Sequence, residues 1–142
     1  MQSAKYCTAL RIDCLENKKS LIFETVFSSL EKLNFINDAK QKGFFVRLFF
    51  VGTNHPSINA GRIALRCLNG GHEVPINKII SRYSKAIMNC SVIASLVDRL
   101  YVYDNSIEDQ EAKLLFRASY GKLTKQYNEV NDWAMQIFEN VS

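Results

Sequence analysis

No two of the four cysteines in this 142-residue sequence form a C-x-x-C pair, and only two histidines, His55 and His72, accompany them. A structural zinc site draws on closely spaced ligand pairs, so that class is excluded, and Cys7, Cys14, Cys67 and Cys90 are expected to be buried, reduced thiols. No metal site is expected. Long apolar runs are also missing. The longest, 44–51, is interrupted by Arg47 and is far too short to span a bilayer. The N-terminal residues carry charges throughout and lack the apolar core of a secretory signal, so the reading is a cytoplasmic protein with no membrane partner. Charge of one sign does not dominate. A net charge of +4 permits an anionic ligand without the dense basic patch of a nucleic-acid binder, so no nucleic-acid partner is expected. Two glycine-rich phosphate loops are absent as well: neither G-x-x-x-x-G-K-[ST] nor G-x-G-x-x-G occurs anywhere.

What is present is the make-up of one soluble α/β domain, 1–142, with 47% hydrophobic and 23% charged residues. Cys7, Leu10 and Cys14 mark the apolar side of a helix over 3–17. "SLIFET" (20–25) reads as a short buried strand. Ser28 and Glu31 form a capping box that opens a helix closed by Gly43. "FFVRLFFVG" (44–52) is a strand apolar enough to be covered on both faces. Pro56 and Pro75 each start a helix, the first ending near Asn69 and the second near Leu96. "RLYVYD" (99–104) is a further strand. Tyr120-Gly121 turns a terminal hairpin, and Asn131 caps a last helix that holds Trp133 and Phe138. This order predicts a mainly parallel sheet with helices on both faces. Ligands gather at the carboxyl ends of parallel strands, which singles out Glu24-Thr25, Gly52-Thr53-Asn54 and Asp104-Asn105-Ser106.

Between the two proline-started helices lies "NGGHEVP" (69–75), where Gly70 and Gly71 let the chain reverse. Arg62 and Arg66 share one face of the first helix, while Ile58, Leu65 and Leu68 lie on another, suited to packing. Lys78, Arg82 and Lys85 share one face of the second, and Ile76, Ile79, Tyr83 and Ile87 form its apolar side. The result is a helical hairpin over about 56–96 with a basic stripe on each arm. Guanidinium groups match phosphate oxygens in a planar fork, yet a basic helix face is as readily plain solvated surface. His72 is open to two readings, a hydrogen-bonding turn residue or a catalyst. Glu24 could take a proton from a substrate hydroxyl, or cap a helix, or pair with Arg47.

"LIFETVFSS", the run from Phe44 to Asn89 and "DRLYVYDNS" resemble, in order and spacing, the zeta-toxin-like P-loop kinase family, whose members are often labelled predicted ABC-type ATPases. The resemblance covers roughly residues 4–106. It implies an incomplete P-loop-kinase-like three-layer α/β domain and an ATP-dependent phosphotransferase that needs Mg²⁺, acting on a small-molecule acceptor such as a nucleotide sugar. On that resemblance Arg66 and Arg82 match lid positions that contact ATP phosphates, with Arg62 and Lys85 in support. Lys85 stands where many relatives carry arginine. Glu24 and Thr25 match the acceptor-side strand end, Asp104, Asn105 and Ser106 the nucleotide-side loop, and Gly70, Gly71 and His72 the hinge of the lid. The family's first strand, its Gly-Lys-Ser/Thr loop and its aspartate base have no counterpart here. In the family topology that strand lies between those matching 20–25 and 44–51. The chain alone is therefore expected to be inactive, and a complementary P-loop fragment, self-association or an antitoxin are the expected partners. The alternative is a non-catalytic, truncated paralogue that binds or regulates another protein.

Overall fold

A computed structural model describes residues 2–71 and 74–142, with side chains from Lys5 onward. The order is α1 (Gln2–Glu16), α2 (Leu30–Gln41), β1 (Arg47–Gly52), α3 (Pro56–Leu68), α4 (Ile76–Ile93), β2 (Arg99–Asp104), β3 (Lys113–Ser119), β4 (Lys122–Gln126), a 3-10 turn (Asp132–Ala134) and α5 (Met135–Val141). The four strands form one sheet in sequence order. β1 and β2 are parallel, and the β2–β3 and β3–β4 pairings are antiparallel. The α/β class agrees with the sequence; the mainly parallel sheet does not, since the sheet is mixed.

The cause lies in residues 20–25. Instead of a strand they form an irregular segment with Ile22 fully exposed. A strand exists only through its ladder, and this segment pairs with no described strand. The chain instead kinks at Phe27, whose φ of 64° is unusual for a bulky residue. The Phe27 ring enters the core, and its carbonyl accepts a hydrogen bond from Asn89 Nδ2 at 3.0 Å.

Phe50, Leu100, Val102, Phe116 and Ala118 from the strands meet Ile36, Ala86, Cys90, Ile93, Ile137 and Val141 from α2, α4 and α5 in a single core. On the other face Phe49 is 56% and Val51 53% exposed, so the expectation that 44–52 is covered on both faces is corrected. Phe49 stacks on Tyr101, its neighbour across the ladder, at 4.7 Å. Burial of the cysteines is likewise corrected. Cys90 is buried, with its thiol pKa pushed up by desolvation, but Cys7 is exposed and Cys14 and Cys67 are half-buried. In α1 it is Leu15 that is buried, while Leu10 is largely exposed.

Local turn chemistry behaves as read. Gly43, at φ 86°, ends the turn after α2, and Tyr120 and Gly121, both at positive φ, turn the β3–β4 hairpin. Two caps differ. α2 starts one residue beyond the expected box, at an Ser29 N-cap without a side-chain hydrogen bond. Asn131 makes no side-chain cap and instead donates to Asn54 Oδ1 at 2.7 Å.

One buried ion pair ties α2 to the sheet. Lys40 Nζ and the Val46 N–H both donate to Asp98 Oδ2. Burial works to raise the Asp98 pKa, but these donors outweigh it and hold the carboxyl below its ordinary value. The folded pKa therefore lies below the unfolded one, about 3.9. Its stabilisation is present above that value and lost as pH falls through the folded pKa. Urea unfolding between neutral and about pH 3 should show stability falling with acid, with a shallower slope in Asp98→Asn.

Candidate functional site: the helical hairpin and the strand ends

Pro56 occupies the first turn of α3, and His55 caps it: His55 Nδ1 accepts from the Ser57 N–H at 3.0 Å. His55 thus has a structural task. Gly70 closes α3 at φ 91°, and Gly71 lies so near the Arg66 carbonyl that a Cβ would sit 2.8 Å from its oxygen. Both glycines are needed where the helix reverses. His72 lies outside the described residues. α3 buries no side chain; Leu65 is exposed and Leu68 is 84% exposed, which corrects their reading as a packing face. In α4, Ile79 is buried and anchors the hairpin, whereas Ile76 is exposed.

Lys78, Arg82 and Lys85 come together as their spacing predicts. With Ser28, Asn77 and Ser81 they line an open cavity of about 360 Å³ between α4 and the segment before α2. Its walls carry three cations and no carboxylate. Such a surface suits a polyanion, because each cation stays hydrated until a phosphate replaces the water. Arg62 and Arg66 are not part of this cavity. Arg66 is exposed. Arg62 is instead latched to the loop after β2: its Nη2 donates to the Asn105 carbonyl at 2.7 Å and its Nε to Glu108 Oε1 at 2.9 Å.

At the strand ends the polar groups are largely engaged with one another. Asp104 is buried and accepts from Ser106 Oγ at 2.6 Å and from Trp133 Nε1 at 2.8 Å. Ser106 Oγ also accepts from the Asn54 N–H at 2.9 Å. Tyr83 reaches across from α4 to donate to the Thr53 carbonyl at 2.7 Å. Its phenol pKa is raised, first by desolvation and then by the nearby Asp104 charge, so Tyr83 remains a hydrogen-bond donor at neutral pH. Glu24 and Thr25 are exposed in the irregular segment. No described ion pair involves Glu24, and Thr25 Oγ1 accepts from the Phe27 N–H at 3.4 Å. Thr53 is singled out in the sequence by its strand-end position, but Trp133 and Tyr83 were not legible as site residues, because what brings them there is contact between segments distant in sequence.

The zeta toxin family model matches residues 3–117, from α1 into β3. This chain belongs to the zeta toxin family. No curated protein and no solved structure matches it. The matched span takes in the basic hairpin and both described strand ends, which fits a P-loop kinase-like, nucleotide-binding family. β4, Trp133 and α5 lie beyond it. Among the described residues no helix is long and apolar enough to cross a membrane.

The family's nucleotide chemistry can be tested against these residues. The Lys78–Arg82–Lys85 cavity fits the phosphates of ATP by charge. Mg²⁺ at such a site needs only one or two protein oxygens beside phosphates and water, and no carboxylate lines this cavity.

The Arg62 latch carries a prediction. Its bond to a carbonyl is charge-assisted and worth about 1.5–3 kcal/mol, whereas the bond to exposed Glu108 adds little. Arg62→Ala should therefore speed amide exchange across α3 by about tenfold or more, and Glu108→Ala should leave it nearly unchanged.

Proposed function

We propose that this chain is the lid and acceptor-site portion of a zeta-toxin-like, ATP-dependent small-molecule kinase. Its phosphate-cradling loop would come from residues other than these 142. The observation that carries the reading is the cavity of Lys78, Arg82 and Lys85, which opens toward Ser28. A cationic helix face thus meets the segment that follows Glu24 and Thr25. In this reading Arg82 and Lys85 bind the phosphates of ATP, and Arg66 joins them when α3 swings over. Glu24 and Thr25 face the acceptor, of which a nucleotide sugar is the expected class. Asp104 and Asn105 border the nucleotide, and Gly70, Gly71 and His72 form the hinge. Magnesium donors would accompany the P-loop, in keeping with their absence from this cavity.

The bare apolar side of β1 favours a second reading, a non-catalytic module that binds another protein through its sheet. One experiment separates the two. The chain is mixed with a P-loop-bearing fragment of a zeta toxin family kinase, Mg-ATP and UDP-N-acetylglucosamine, and phosphorylated sugar is followed by mass spectrometry. The chain alone should give no turnover, because nothing in it replaces the P-loop backbone, while the mixture should. Binding of the fragment without turnover would support the second reading and overturn the first.

A further inference from the structure

β1 lies at one edge of the sheet, paired only to β2. In a parallel ladder a residue reaches its neighbour through both its own N–H and its own C=O, and alternate residues face the other way. The Val46 carbonyl accepts from the Arg99 N–H and the Gly52 carbonyl from the Asn105 N–H. The even-numbered residues of β1 therefore face β2. Arg47, Phe49 and Val51 direct their backbone groups outward, and no described hydrogen bond engages them. Of the usual protections of an edge only the charge of Arg47 is present: "RLFFVG" has no proline, no lysine and no bulge in its pairing with β2.

We infer that this edge pairs with the same edge of a second copy of the chain, antiparallel, about a twofold axis perpendicular to the sheet through Phe49. The strand is self-complementary in that arrangement. A twofold of this kind keeps each sheet face continuous, so outward-bonding residues must oppose outward-bonding residues on the same face. Setting Phe49 against Phe49 of the second copy meets this condition, and it also sets Arg47 against Val51 and Leu48 against Phe50. The three outward-facing pairs then exchange about six backbone hydrogen bonds. Leu48 meets Phe50 of the second copy on the core face, so the two cores join. On the bare face, the half-exposed Phe49 rings become cross-strand neighbours. Charge raises no barrier. The two Arg47 side chains are four residue steps apart along the strands, about 13 Å, which exceeds a Debye length of about 8 Å at physiological salt. A slip of one residue would oppose outward with inward backbone groups and flip every side chain, and a slip of two would leave only two outward-facing pairs within the strand, so the register centred on Phe49 gains the most backbone bonds. The P-loop strand of the kinase reading would take this same edge, so the two occupants compete for it, but the chain by itself tests the pairing without that fragment and either reading can fail without the other.

Sedimentation velocity on the full chain tests it. The wild type should be a dimer that dissociates on dilution. Phe49→Lys and Phe49→Glu should each be monomeric, since like charges would face each other across the axis. Because Phe49 is more than half exposed, far-UV circular dichroism should show both variants folded. Mixed together, the Lys and Glu variants should recover a dimer. Three results would overturn the inference: a monomeric wild type at high micromolar concentration, charged variants that remain dimeric, or a mixture that stays monomeric. Val51→Pro removes an outward N–H without touching the β2 ladder, and it too should be monomeric. It decides the matter if a charged variant does not fold, because a dimeric Val51→Pro would then overturn the pairing.

Discussion

Arg82→Ala is expected to lower turnover by about 10³-fold in the reconstituted phosphorylation assay, with most of the loss in kcat. That factor corresponds to about 4 kcal/mol of transition-state stabilisation. The expectation rests on position. Arg82 is the one arginine in the cavity, flanked by Lys78 one helical turn before it and Lys85 nearly one turn after. A guanidinium beside a transferring phosphoryl group stabilises charge that exists only as the bond breaks. Removing it should therefore slow chemistry more than it weakens ATP binding. Arg82→Lys should recover part of the rate, since it keeps the charge but not the fork. Lys85→Ala should cost less than Arg82→Ala, by removing a cation that attracts phosphate without bidentate geometry.

Arg66 provides the contrast. It stands on α3, outside the cavity, while Arg62 one turn earlier is held by the Asn105 carbonyl. For Arg66 to share phosphates with Arg82, α3 must release that latch and move. An Arg66→Ala loss approaching that of Arg82→Ala would show that the movement belongs to the catalytic cycle. Unchanged rates in both variants would remove the lid assignment.

The parts of this fold that were legible in the sequence are those decided within a few residues. Pro56, Pro75 and Gly70 bound the two hairpin helices because proline and glycine act on their own backbone, and Tyr120-Gly121 turns β3 into β4 for the same reason. The i, i+4, i+7 spacing of Lys78, Arg82 and Lys85 is likewise local, so their shared face was foreseen. "SLIFET" misled because its composition is that of a strand, while a strand exists only through a ladder and this segment pairs with no described strand. Phe49 and Val51 are likewise more than half exposed, since apolar composition does not say whether a sheet face will be covered. Leu65 and Leu68 have the pattern of a packing face, but pattern does not tell whether a surface exists for them to pack on. Trp133 was read as part of a helix. Its indole instead bonds a carboxylate at the end of β2, and no local rule joins residues so far apart.

That indole sets the largest stability effect. Trp133 stands between the ends of β1 and β2: its Nε1–H donates to buried Asp104, its ring lies 6.0 Å from that of Phe50, and its six-membered edge fills the space where Gly52 has no side chain. Trp133→Ala should cost about 3–5 kcal/mol in urea unfolding, through the cavity it leaves and the Asp104 carboxylate that keeps only its Ser106 partners. Trp133→Phe should cost less, since it restores ring volume but not the donor. Gly52→Ala attacks the same contact from the other side, because a Cβ there would overlap the indole and neither the strand nor a buried ring can yield easily. It should cost about 1–3 kcal/mol alone. In a Trp133→Ala background the obstruction is gone, so Gly52→Ala should become nearly silent and the two effects should be far from additive. Full additivity would mean that Gly52 matters for its backbone alone and that the indole does not close the strand ends. The clamp lies beyond the matched family span at 117, so the strand ends that border the proposed nucleotide site are held from outside the part of the chain that carries the family pattern.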